Sequence, residues 1–174
     1  MILGELSVKI RQGMIEDLPV IMKFVYKTVI LMNEEGNDQW SSKYPKEDDF
    51  KKDIENESLF VAELDGIPIG SITIDQIGGK NYGQIDWTYK DREFFILHRL
   101  VVDPEIRGGG IASQLLAFAE VYAIEQDVFY IKTDTYALND KAQNLFVKNG
   151  YNKVGVFHFE GKDNPFYCYD KSFL

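Results

Sequence analysis

The chain predicts an α/β domain, a sheet covered on both faces by helices. Three observations carry that prediction. Segments of two-residue alternation interleave with segments of helical period. Asp65-Gly66 joins two short apolar runs, which is the sequence signal of a tight β-hairpin. Asn139 and Gly150 bracket a helical stretch, with Asn suited to start a helix and Gly to end one.

Taken in order, Leu6, Val8 and Ile10 alternate with Ser7, Lys9 and Arg11, the pattern of a half-buried strand. Asp17 precedes Ile21, Phe24, Val25, Thr28 and Val29, which recur at helical spacing. The acidic segment 33–58 reads as a loop holding Trp40, Tyr44 and Pro45, followed by a short helix over Glu47–Glu55. Leu59–Ala62 and Ile67–Ile69 form the hairpin strands. A long loop over 77–93 carries Tyr82, Trp87 and Tyr89. The run from Phe94 to Val102 is the most apolar in the chain and predicts a central strand. Ile111, Leu115, Ala119, Tyr122 and Ala123 then share one helical face. A strand over Val128–Thr133, a helix over Asp140–Asn149 and two strands, Lys153–Phe159 and Phe166–Asp170, complete the chain.

The 174 residues fit one domain, 1–174, long enough to bury a sizeable core. A formal net charge of −9 disfavours nucleic acid as a partner, because such a surface repels phosphates. It would attract a cationic substrate, or serve solubility alone. Lys23 and Lys27 interrupt the longest apolar stretch, so no bilayer span and no membrane partner is expected. The start lacks the layout of a signal peptide, which with the single cysteine implies a reducing, cytoplasmic setting. Cys168, in a strand-like context, reads as a buried, inert thiol rather than a nucleophile. No metal-ligand cluster is apparent, and a monomer and a homodimer are equally compatible with the sequence.

The segment Val102-Asp103-Pro104-Glu105-Ile106-Arg107-Gly108-Gly109-Gly110-Ile111-Ala112 is the most informative. Pro104 ends the strand. Three glycines permit left-handed backbone and keep side chains away from a ligand, and a helix starts after them. The unpaired N–H groups and positive dipole end of such a helix suit an anion, a pyrophosphate above all. The turn is too short for an eight-residue phosphate loop, and Ser113 stands where a dinucleotide fingerprint needs its last glycine. On these residues alone, a turn that binds nothing is an equal reading.

Arg107 to Ala112 resembles the Arg/Gln-x-x-Gly-x-Gly/Ala signature of the GNAT N-acetyltransferases. A second block, Asp134-Thr135, Asn139, Ala142, Leu145-Phe146, Lys148 and Gly150-Tyr151, is similar to that family's Asn-x-x-Ala-x-x-Leu-Tyr-x-x-x-Gly-Phe block. The resemblance extends over essentially the whole chain and implies the acyl-CoA N-acyltransferase fold. That fold is a mixed, mostly antiparallel sheet of about seven strands, open between the fourth and fifth to admit CoA. It also implies an acetyl-CoA-dependent N-acetyltransferase of bacterial type, acting on a small-molecule or peptide amine. CoA contacts fall to Leu100, Val101, Val102, Arg107, Gly108, Gly109, Gly110, Ile111, Ala112, Ser113 and Asn139. Trp40, Tyr44, Tyr82 and Trp87 would line the acceptor pocket, although core packing is the more frequent role of such rings.

Two departures from the family pattern bear on catalysis. Phe146 replaces the tyrosine that protonates the leaving thiolate, so Tyr136, Tyr151 or water must serve. The fourth strand lacks a carboxylate on the face formed by Ile96, His98, Leu100 and Val102, which leaves His98 as a proton acceptor or as a structural histidine. His158 reads as structural, and Arg99 as an ion-pairing residue on the opposite face. The departure at Phe146 keeps open a second function, an acyl-CoA-binding module without turnover.

Overall fold

A computed structural model describes residues 8–106 and 108–174. Leu6 and Arg107, both used in the sequence reading, lie outside the described residues. The elements in chain order are β1 (Lys9–Gln12), α1 (Leu18–Glu34), α2 (Glu47–Glu55), β2 (Leu59–Leu64), β3 (Ile67–Asp75), β4 (Phe95–Val102), α3 (Ile111–Glu125), β5 (Tyr130–Tyr136), α4 (Asp140–Lys148), β6 (Asn152–Phe157) and β7 (Phe166–Ser172). The sheet has seven strands in the order β1-β2-β3-β4-β5-β7-β6. β4 and β5 run parallel, with Phe95 opposite Ile131 and Leu97 opposite Thr133. The pairs β1–β2, β2–β3, β5–β7 and β7–β6 are antiparallel. The predicted mixed α/β sheet is therefore the one observed. No helix among the described residues is long and apolar enough to cross a membrane.

The chain divides into two compact units. Among the described residues the first comprises 8–74, 99–106 and 108–118, and the second 75–98 and 119–174. In the first, α1 lays Leu18, Ile21, Met22, Phe24 and Val25 against Trp40, Phe50, Leu59, Val61 and Val101. Of the helical-period residues of the sequence, Ile21, Phe24 and Val25 are buried and Val29 packs partly buried beside them, while Thr28 is only half-buried. This burial is what holds the helix, since propensity alone does little. The hairpin between β2 and β3 turns at Asp65 (φ 50°) and Gly66 (φ 80°), two left-handed residues as a twisted two-residue hairpin requires.

In the second unit, Tyr82, Trp87, Ile96, Phe157 and Cys168 form a buried cluster. Here the expectation of an unstructured loop over 77–93 needs correction. A 3₁₀ turn spans Lys80–Gln84, and the Trp87 Nε1–H donates to the Tyr82 carbonyl at 2.8 Å. Rings of this size bury much apolar area once their polar atoms find partners, so they fold the loop onto the core. Cys168 is fully buried, and burial pushes its thiol up to about 12, in line with an inert role.

Candidate functional site

The glycine turn belongs to the first unit. Ile106 N–H donates to the Asp103 carbonyl at 2.9 Å, and Glu105 N–H to Asp103 Oδ1 at 3.0 Å, closing a turn directly after β4. Gly108 (φ 75°) and Gly110 (φ 66°) are both left-handed, a conformation costly for residues with a Cβ. A Cβ placed on Gly108 would meet no heavy atom within 4 Å, so the backbone at Gly108 faces open space. The first bond of the α3 ladder runs from Gln114 N–H to the Gly110 carbonyl at 3.0 Å, and the amides of Ile111 and Ala112 precede it. Bare backbone donors at a helix N-terminus, flanked by left-handed glycines, fit a pyrophosphate.

β4 contains the second feature. Arg99 has φ 46°, left-handed in the middle of a strand. The expected alternation of Ile96, His98, Leu100 and Val102 on one face therefore does not run through the strand. Backbone strain of this kind persists only where the surroundings over-determine it. Here the Arg99 guanidinium grips Asp53 of α2 through two bonds of 2.7 Å, and it also donates to the Tyr44 hydroxyl at 3.1 Å. Asp53 accepts a further bond from Thr73 Oγ1 at 2.8 Å. Burial would lower the Arg99 pKa, but the hydrogen bonds and charges of Asp53 and Tyr44 together outweigh it and the guanidinium stays charged.

His98, one residue earlier, turns to the second unit. Its Nε2 lies 2.8 Å from Asp75 Oδ1 at the end of β3, and Asp75 Oδ1 also accepts from Ile77 N–H at 2.9 Å. A carboxylate only accepts, so this contact assigns the ring proton to Nε2 and leaves the Nδ1 lone pair available. Nδ1 has no hydrogen-bond partner among the described residues. Nearby on β5, Asp134 accepts from the Tyr82 hydroxyl at 2.5 Å. Burial raises the Asp134 pKa, opposed by that bond and by His98. Burial and Asp134 together hold the Tyr82 proton on its oxygen.

The remaining predicted residues are distributed as follows. Trp40 sits in the core of the first unit, whereas Tyr44 is 43% exposed. Tyr82 and Trp87 are core residues that also line a cleft of about 540 Å³ in the second unit. Asn139 caps α4, accepting from Ala142 N–H at 3.1 Å. Tyr136 is fully buried, and its hydroxyl accepts from Asn164 N–H at 3.2 Å. Tyr151 is buried against Phe146, its hydroxyl has no hydrogen-bond partner among the described residues, and burial raises its pKa. The sequence reading missed Asp75 and Asp53. Both are strand-end or helix acids with no distinguishing spacing.

Comparison with known proteins decides the family. The acetyltransferase (GNAT) family profile matches residues 26–151. This chain belongs to the GNAT family. The expected enzyme class, an acetyltransferase, holds accordingly, and acetyl-CoA is the family's general co-substrate. A Staphylococcus aureus Mu50 protein, provisionally described as an acetyltransferase, is 32% identical with a TM-score of 0.73, covering 94% of this chain and 97% of that one. A GNAT family acetyltransferase from Streptococcus agalactiae 2603 has a TM-score of 0.83 at 22% identity, covering 97% of this chain and 96% of that one, and shows the shared fold. Streptothricin acetyltransferase from Escherichia coli is 29% identical over 83 residues. That match spans about half the length of each chain, 48% of both.

Proposed function

We propose that this GNAT protein moves the acetyl group of acetyl-CoA to a primary amine of a small molecule or peptide, with His98 accepting the amine's proton. The observation that carries the cofactor assignment is the pair of left-handed glycines, Gly108 and Gly110, at the entrance to α3. Their backbone, with Ile111, Ala112 and Ser113, would hold the pyrophosphate, and Arg107 and Asn139 would add side-chain contacts.

Acetyl-CoA supplies the electrophilic thioester. Backbone N–H groups around Val101 and Val102 would align the pantetheine and favour the developing oxyanion as fixed dipoles. The amine nitrogen forms a C–N bond as the C–S bond breaks. His98 Nδ1 takes the amine proton, directly or through one water, while Asp75 holds Nε2–H and steadies the resulting imidazolium. The departing thiolate takes a proton from solvent or from Tyr136. The Tyr136 hydroxyl accepts from Asn164 and so keeps its own proton to give. Tyr151 is the weaker donor, because burial holds its proton tightly.

Gly110→Val tests the reading. A β-branched residue at φ 66° is strained and puts a side chain where the phosphates would lie. Calorimetry should find acetyl-CoA binding abolished while far-UV circular dichroism keeps its native shape. Undiminished affinity in the folded variant would falsify the assignment.

A further inference from the structure

The acetyl-transfer reading leaves one buried charge unused. Lys132 of β5 is only 6% exposed. Its Nζ lies 3.8 Å from the ring centroid of Phe94, 4.8 Å from Trp87 and 5.6 Å from Tyr130. Among the described residues it makes no hydrogen bond and no ion pair. Asp170, opposite Lys132 on β7, bonds instead to the Tyr130 hydroxyl and to Thr88 N–H. Aromatic faces attract an ammonium but offer no oxygen lone pair, so its three donors stay unanswered. Burial lowers the Lys132 pKa, with Asp170 opposing, as expected of a charge that lacks a full set of partners.

This ammonium lines the cleft of about 540 Å³ together with Tyr82, Ile85, Trp87, Phe94 and Lys90. The acid on that wall, Asp86, pairs with Lys90 at 3.0 Å, both at the exposed rim. Of the charges that line the cleft, the one left without an ion pair is therefore positive, in a chain whose net charge is −9. Tyr82, Trp87 and Phe94 present aromatic rings along the wall of the cleft. The geometry points to a binding site for an organic carboxylate, with its carboxylate on Lys132 Nζ and its apolar body against Trp87 and Phe94. A charged hydrogen-bond pair in such surroundings is stronger than one in water.

The site's position extends the inference. Lys132 is in register with Ile96, two residues before His98, a separation of about 7 Å along a strand. Lys132 and Asp134 share a face of β5 by alternation, and Tyr82 links Asp134 to the cleft wall. Taken with the proposed reaction, on which this step alone rests, the acceptor is an amine that also carries a carboxylate.

Benzoate, benzamide and inorganic phosphate serve as probes on the full chain without acetyl-CoA, so the result does not depend on turnover. The Trp87 indole N–H is one of two such signals in the protein and reports binding by NMR. Benzoate should shift it saturably, and benzamide should bind about tenfold or more weakly, the effect of losing one bond to a charged group. Lys132→Met should remove the preference for benzoate without lowering the melting temperature, since it deletes a buried charge. Equal binding of benzoate and benzamide, undiminished benzoate binding by Lys132→Met, no benzoate binding at all, or displacement of benzoate by equimolar phosphate would each overturn the assignment.

Discussion

His98 and Arg99 are consecutive residues of β4, and each bonds an aspartate, yet the two pairs are built for opposite ends. Arg99 meets Asp53 through two parallel bonds, and Thr73 and Tyr44 fill out the network. Nothing in that pair is left to react, and its guanidinium does not titrate in any useful range. His98 meets Asp75 at a single point, with its side chain 22% exposed, and one ring nitrogen remains open. A saturated bidentate pair fixes backbone, whereas a one-point imidazole pair fixes a tautomer and leaves a base. The left-handed φ of Arg99 is the price of sending the two side chains to different neighbours.

The sharpest way to break this contrast is His98→Ala. If His98 is the base, turnover should fall by roughly 10²–10⁴-fold, the range for a positioned acid or base. The defect should shrink as pH rises, because solvent then deprotonates the amine, and acetyl-CoA affinity should barely move. Near-normal turnover at neutral pH would rule the role out. Arg99→Met should act on stability instead. It strands the buried Asp53, at a cost of about 3 kcal/mol, so the melting temperature should drop by roughly 6–12 °C. A drop of less than 2 °C would show that the Asp53 network does not need its cation.

Asp75→Asn sharpens the comparison, because Asp75 is a positioning residue that acts through His98. Removing the carboxylate that selects the Nε2–H tautomer should lower kcat/KM about 10–100-fold, as for other groups that orient a functional imidazole. Ring-nitrogen NMR shifts should report a changed tautomer balance at His98, one of only two histidines. A rate loss with an unchanged tautomer would assign Asp75 to packing alone. The smallest effect belongs to Asp134→Asn. Burial raises the folded pKa of Asp134 above the ordinary 3.8, so the stability it contributes is complete below 3.8 and declines as pH rises through the folded value. The asparagine variant keeps an acceptor for the Tyr82 hydroxyl and should lose that part of the decline. Calorimetric melting temperatures against pH would show parallel curves if the charge of Asp134 had no such role.

Much of the fold was legible because its signals are local. Asp65-Gly66, Asn139 and Gly150 each specify a turn or helix end through their own backbone preferences, and all three occupy the expected places. The short helix over Glu47–Glu55 was readable to its ends. The three glycines before Ile111 announced a left-handed turn for the same reason. The pairings around His98 were not legible. Asp75 and His98 are 23 residues apart, and Tyr82 and Asp134 are 52 apart. No periodicity within one segment records which side chains two strands and a loop will bring within hydrogen-bond reach.

The amino-acid sequence by itself determined the order of strands and helices, the glycine turn that opens α3 and the family to which those blocks belong. Each depends on backbone preference or on the spacing of apolar residues, and both act over a few neighbours. Tertiary structure alone decided that Arg99 turns left-handed, that Asp75 selects the His98 tautomer, and that Lys132 is buried among aromatic rings. These follow from strand register and from the folding of the 77–93 loop onto the core, where the free energy of burying Tyr82 and Trp87 outweighs any local preference of the chain.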